Sequence, residues 1–354
     1  MYIADIISRC QRRQSYWLGL ILPLLLAACT ETPPPDRGLY EWRSSADVGA
    51  DDLPILDSLG ISRLYVRLFD VQVDPATGES TPASVVQYDT PLPHDLAVIP
   101  TIYITLATIR ALDDGAAIDT LADRILRKVR STMPVTGHTD FDELQIDCDW
   151  TASTQTTYFR LLECLRSQLP EATVLSATIR LHQIKFRRQS GVPPVDRGLL
   201  MVYNTGEVTA LDESNAIIRA DVVDDYISTL DEYPLPLDVA LPIFSWGVRF
   251  HFDRFAEILP DLDSASIAAS GLARNIAANR WLVERSGYLR GVPVTASDLI
   301  RVEEAHPRDV LPVAEAIADR LDDTPRSVVL YRYDPQYFDR YAPTDLDPLY
   351  RAFE

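Results

Sequence analysis

Along residues 142–150 (DELQIDCDW) apolar and polar positions alternate without a break from Glu143 onward. Leu144, Ile146, Cys148 and Trp150 fall on one face, and Gln145, Asp147 and Asp149 on the other. A period of two predicts a strand, so Asp147 and Asp149 leave the chain on the same side, roughly 6–7 Å apart. Two acids on the inner face of an otherwise apolar strand cost free energy unless they are partnered or used. The end of this strand is therefore the first place to look for chemistry.

Similar apolar runs predict further strands at residues 38–42, 61–71, 96–105, 174–181, 197–204, 237–246 and 327–334. Between them the periodicity changes to that of helices. Residues 51–59 form a helix closed by Gly60, and residues 116–131 carry Leu121, Ile125 and Val129 one turn apart. Residues 154–168 turn Tyr158, Leu161, Leu162 and Leu165 inward, and helices follow at 221–230 and 310–321. Residues 74–91, rich in Gly, Ser, Thr and Pro, read as a loop or hairpin. Eight strands with helices interleaved imply an α/β chain with a parallel sheet, closed as a (β/α)8 TIM barrel. An open doubly wound sheet is the alternative, but no strand runs into a Gly-rich phosphate turn. The interval 247–326 is too long for one helix. A helix-like stretch at 264–279 and strand-like stretches at 281–284 and 299–303 make it an α+β insertion between strands seven and eight.

The N-terminus has a different pattern. Arg9, Arg12 and Arg13 precede an apolar run from Trp17 to Ala28, too short and too soon followed by prolines for a comfortable membrane span. Leu26-Ala-Ala-Cys29 resembles the lipobox of bacterial lipoproteins. The resemblance implies removal of residues 1–28 as a signal peptide, acylation (palmitate) of Cys29, and a chain exported to the cell envelope and held to the lipid bilayer through Cys29. Thr30 after the cysteine favours the outer membrane, with the body in the periplasm or at the surface. Residues 29–37 then form a short, stiff, Pro-rich tether, and residues 38–354 the barrel domain.

Charge and cysteines narrow the classes further. Loss of the leader removes three arginines and one aspartate and takes the net charge from −19 to −21, which argues against nucleic acid as a partner. Of the four cysteines, Cys148 and Cys164 remain in the body, one on the outer face of the key strand and one on the helix after it. They could form a disulfide or stay as buried thiols. No CxxC or HExxH occurs and the histidines are scattered, so neither a metal site nor a cofactor is expected.

In such barrels the chemistry sits at the carboxyl ends of the strands. Those ends supply Glu41, Trp42, Arg67, Asp70, Tyr103, Thr105, Asp147 and Asp149, then Arg180, His182, Tyr203, Asn204, Trp246, Tyr331 and Tyr333. Aromatic rings that stack on pyranose faces, beside acids and amides that grip hydroxyls, suit a carbohydrate. Glycoside hydrolysis asks for a carboxyl that protonates the leaving oxygen and a second group that steadies the cationic centre.

This set resembles family 18 glycoside hydrolases, the chitinase-like barrels. Their fourth-strand signature D-x-x-D-x-D-x-E is matched by Asp142-x-x-Gln145-x-Asp147-x-Asp149, and their sixth-strand M-x-Y-D by Met201-Val-Tyr203-Asn204. Some members also insert an α+β module after strand seven. The chain departs at three places, with Gln145 and Asn204 for aspartates and Asp149 for the glutamate. It is also similar to bacterial lipoproteins with glycosidase-like barrels. The resemblance implies Asp149 as general acid, Asp147 as the group that orients it, and Tyr203 as a steadying contact. Glu41, Trp42, Arg67, Tyr103, Arg180, Asn204, Trp246 and Tyr331 would bind the sugar, with Glu41 as a possible second carboxylate. The altered positions leave open a non-catalytic lipoprotein that binds glycan or scaffolds envelope partners with the same cleft.

Overall fold

A computed structural model describes residues 33–43, 48, 52–112 and 115–354. The leader, Cys29 and the first part of the tether lie outside the described residues. Eight parallel strands form the centre: β1 (Asp36–Glu41), β2 (Ile61–Val73), β3 (Ala97–Ile104), β4 (Glu143–Asp147), β5 (Val174–Arg180), β6 (Arg197–Met201), β7 (Leu237–Pro242) and β8 (Ser327–Tyr331). Each pairs in parallel with its successor, and β1 pairs with both β2 and β8, so the sheet closes into a barrel. Strands in such a barrel are covered on both faces, which is why most read as unbroken apolar runs. β4 keeps its alternation because its inner face is polar.

Beyond the barrel, β2 continues into a hairpin with Ser80–Ala83. The helix Gly115–Thr132 buries Leu121, Ile125 and Val129, the stripe its spacing predicts. The barrel's lower end is filled by charge: Arg63 Nη2 donates to Glu143 Oε2 at 2.9 Å, and Ser176 Oγ to Glu143 Oε1 at 2.6 Å. Cys148 and Cys164 are buried free thiols, and Cys164 Sγ donates to Asp119 Oδ1 at 2.9 Å on the neighbouring helix.

The insertion between β7 and β8 is a five-stranded antiparallel sheet in the order Arg254–Pro260, Ser245–His251, Leu299–Glu304, Arg280–Val283, Ala273–Ala277. It has its own core around Leu259, Ile267, Val283 and Ile300. Three features differ from the sequence reading. β7 stops at Pro242, so Trp246 belongs to the insertion. The helix expected over 264–279 ends at Ser270, because Gly271 takes a left-handed conformation at φ 62°, and the chain continues as a strand. The helix Pro307–Ala318 packs Val310, Val313 and Ile317 against the barrel and belongs to the outer ring.

Candidate active site

The carboxyl ends of the barrel strands and one edge of the insertion enclose a cavity of about 430 Å³. β4 supplies its floor. Gln145 is fully buried below, accepting from the Tyr40 hydroxyl and from Thr101 Oγ1 at 3.4 Å. One step higher on the same face, Asp147 accepts a hydrogen bond from Thr178 Oγ1 at 2.7 Å. Burial raises its pKa to about 6, with Arg180 and Thr178 opposing the rise and Asp149 adding to it. Asp149 stands past the strand end, its side chain 43% exposed, and accepts from Arg180 Nε at 2.5 Å. The pair is staggered in depth, one acid in the floor and one on the rim.

Aromatic rings make the walls. Tyr203 stacks on Tyr331 at 4.7 Å and 18° between planes, and Phe244 meets both edge-on. Trp42 makes edge contacts with Tyr103 and Tyr331, and the Arg67 guanidinium lies 4.9 Å from its ring centre. Arg67 is itself committed, bonded to both oxygens of Asp70 and to the Trp42 carbonyl. The Tyr203 hydroxyl and Arg180 Nη1 are buried and have no hydrogen-bond partner among the described residues. Asn204 holds a positive φ of 56°, a conformation that asparagine tolerates better than most residues.

The structure brings Trp42, Arg67, Tyr103, Asp147, Asp149, Arg180, Tyr203, Asn204, Trp246 and Tyr331 to this one cavity. Glu41 is not among its lining residues, which corrects its assignment as a sugar contact or second carboxylate. Tyr40 points into the barrel, so its neighbour points out, as strand alternation requires. There Glu41 is fully buried and takes three bonds from Arg43, through the backbone N–H, Nε and Nη2. His182 lines a small side pocket behind Tyr203 instead.

Asp261 and Arg332 also line the cavity and were missed in the sequence reading. They form an ion pair on the cavity wall, with the Tyr337 hydroxyl donating to Asp261 Oδ1 at 2.5 Å. Asp261 is a loop residue of the insertion, and only folding brings it to the end of β8. Arg332, directly after β8, carried the same positional signal as the other strand ends. Among the described residues no group of three or more His, Cys, Asp or Glu is placed to hold a metal ion.

Solved structures with this architecture include the spore cortex-lytic enzyme SleL from Bacillus cereus, 13% identical, with a TM-score of 0.54 over 91% of this chain and 75% of that one. A family 18 N-acetylglucosaminidase from Paenibacillus barengoltzii is 13% identical, with a TM-score of 0.52 over 90% of this chain and 99% of that one. A plant class V chitinase mutant from Cycas revoluta in complex with (GlcNAc)3 is 13% identical, with a TM-score of 0.50 over 89% and 99%. The fold is that of the chitinase-like barrels. At such identities the likeness is one of fold. No protein-family model matches the sequence, and no curated protein is significantly similar to it. In this chitinase-like barrel the residues Gln145, Asp147 and Asp149 climb from the barrel interior to the rim in the order their spacing predicts.

Proposed function

We propose that this protein is a lipid-anchored envelope lipoprotein that takes a glycan into the barrel mouth and hydrolyses it with carboxylate general acid catalysis. The observation that carries this reading is the staggered acid pair at the end of β4, on the floor and rim of an aromatic-walled cavity. Asp149 reaches solvent and would deliver its proton to the glycosidic oxygen as the C–O bond breaks. Water then adds to the sugar carbon and returns a proton to the carboxylate. Asp147, two residues earlier on the same face, would orient that carboxyl from the floor of the cavity. The Tyr203 hydroxyl and Arg180 Nη1 are two buried donors without a hydrogen-bond partner among the described residues, suited to acceptor oxygens on the sugar. The Cycas chitinase was solved with (GlcNAc)3, which makes chito-oligosaccharides the first substrates to try.

A second reading is favoured by one contact. Arg180 Nε engages Asp149 Oδ1 at 2.5 Å, and an aspartate there reaches about one methylene less far than a glutamate; misplacement of about 1 Å can cost on the order of 100-fold in rate. A cleft built this way could bind glycan without cutting it. One substitution separates the two. Asp149→Asn should abolish release of reducing ends from (GlcNAc)4 or peptidoglycan strands, while binding and melting temperature stay nearly unchanged. Saturable binding with no release by the unaltered protein supports the binding module, and undiminished turnover in the variant removes Asp149 from the mechanism.

A further inference from the structure

The two faces of the insertion sheet do different things. One packs Leu259, Ile300 and Val302 into the insertion's own core. On the other, strand register sets Glu303 opposite Trp246 and Arg301 opposite Val248. The side chains of Arg301 and Glu303 are both 0% exposed. Arg301 Nε donates to Glu303 Oε1, and the second carboxylate oxygen accepts the Trp246 indole N–H at 2.5 Å. The two terminal nitrogens of Arg301 donate to the carbonyls of Ala210 and Val208, and its plane lies 5.3 Å from the Phe250 ring centre.

Ala210 and Val208 belong to the loop that leaves β6 through Tyr203 and Asn204. The same loop is fastened to the insertion at three more points. Asn215 Nδ2 donates to the Glu304 carbonyl at 3.0 Å, Asn279 Nδ2 to that of Ser214 at 2.8 Å, and Arg280 Nη2 to that of Glu213 at 3.2 Å. One buried ion pair thus holds a cavity-lining indole with one partner and the loop behind two other lining residues with the other. Net stability is a poor explanation for such a pair, since well-packed apolar side chains of similar volume often do as well or better. Geometry explains it: Arg301 Nε and Glu303 Oε1 hold each other, and the remaining polar atoms of the pair are spent on Trp246 or on the β6 loop.

We infer that Arg301 and Glu303 are positioning residues of the cavity, fixing the Trp246 ring and the β6 loop at a set separation so that Trp246 presents its face to a sugar bound at the mouth. The inference rests on the glycan reading of the mouth, but its geometric core can be tested without a glycan. Glu303→Leu alone strands Arg301 without a counter-charge, so the informative variant is the double substitution Arg301→Met, Glu303→Leu, with Glu303→Gln as the conservative partner.

Two readouts on the full chain decide it. In ¹⁵N-tryptophan-labelled protein, the Trp246 indole proton should resonate downfield, shift upfield in the double variant, and return part of the way in Glu303→Gln, which keeps an acceptor oxygen. In calorimetry with (GlcNAc)4, the double variant should bind about tenfold or more weakly, the scale of one lost charge-assisted hydrogen bond, at a nearly unchanged melting temperature. An unmoved indole resonance overturns the inference, as does a moved resonance with unchanged (GlcNAc)4 affinity. If the unaltered protein fails to bind (GlcNAc)4, the indole shift still decides whether the pair holds Trp246, and the failure counts against the glycan reading alone.

Discussion

Asp147 is 2% exposed and keeps a carboxyl where a neutral amide would fit. Burial is the main cause of its pKa rising from 3.8 to about 6. The folded chain therefore holds this proton at pH values where the unfolded chain has released it. Its stabilising contribution is full below about pH 3.8 and is lost as the pH climbs through about 6. Asp147→Asn keeps an acceptor for Thr178 Oγ1 and removes the cost of a buried charge. The variant should melt higher than the unaltered protein at about pH 7.5, by on the order of 2–3 kcal/mol, with the gap closing towards about pH 4. Thermal unfolding of both proteins across that range checks it, and a gap independent of pH would mean that Asp147 does not titrate there. Two residues further on, where the barrel opens to solvent, Asp149 has Arg180 for its partner in place of Thr178.

At the scale of elements, most strands were legible because apolar runs and alternation survive whichever face is covered. The hairpin Ser245–His251 and Arg254–Pro260 was not, and its turn explains why. Phe252 and Asp253 take positive φ values of 50° and 59° without the Asn-Gly or Gly-Gly pair that announces such turns. The overrun of the helix at 264–279 has the opposite cause: an alanine-rich stretch outweighed Gly271, whose stop signal was visible. Close approach of strands was also hidden. A Cβ on Gly198 in β6 would lie 2.7 Å from Ile179 Cγ1 in β5 and 2.7 Å from Leu237 Cδ2 in β7, both on buried residues. Gly198→Ala should thus cost about 1–3 kcal/mol, read as a lower urea midpoint with the same slope. An unaltered midpoint would show that β5 and β7 can spread to admit a methyl group.

For the whole molecule, closure is what turns separate strand ends into one site. Pairing of β1 with β8 carries Trp42 to Tyr331, and the insertion adds Trp246, Ile258, Pro260 and Asp261 as a further wall. The proposed anchor bears on the molecule as a unit, because a net charge of −21 after loss of residues 1–28 gives it no electrostatic attraction to an anionic bilayer. Acyl chains on Cys29 would have to supply the attachment, at about 0.8 kcal/mol per buried CH2. Cys29→Ala should move the protein from the membrane to the soluble fraction and abolish palmitate labelling. Membrane retention of that variant would point to an uncleaved leader.

By itself the sequence determined the barrel and the direction of its acid pair. A period of two, a period of 3.6 and their alternation are local properties, and local sterics translate them directly into strands, helices and the face on which Asp147 and Asp149 emerge. Tertiary structure decided which groups meet. Glu41 faces away from the cavity into the grip of Arg43, Arg332 finds Asp261 across 71 residues, and Trp246 is held by Glu303 across 57. Burial and through-space pairing set proton affinity and orientation, and neither exists until the chain has closed on itself.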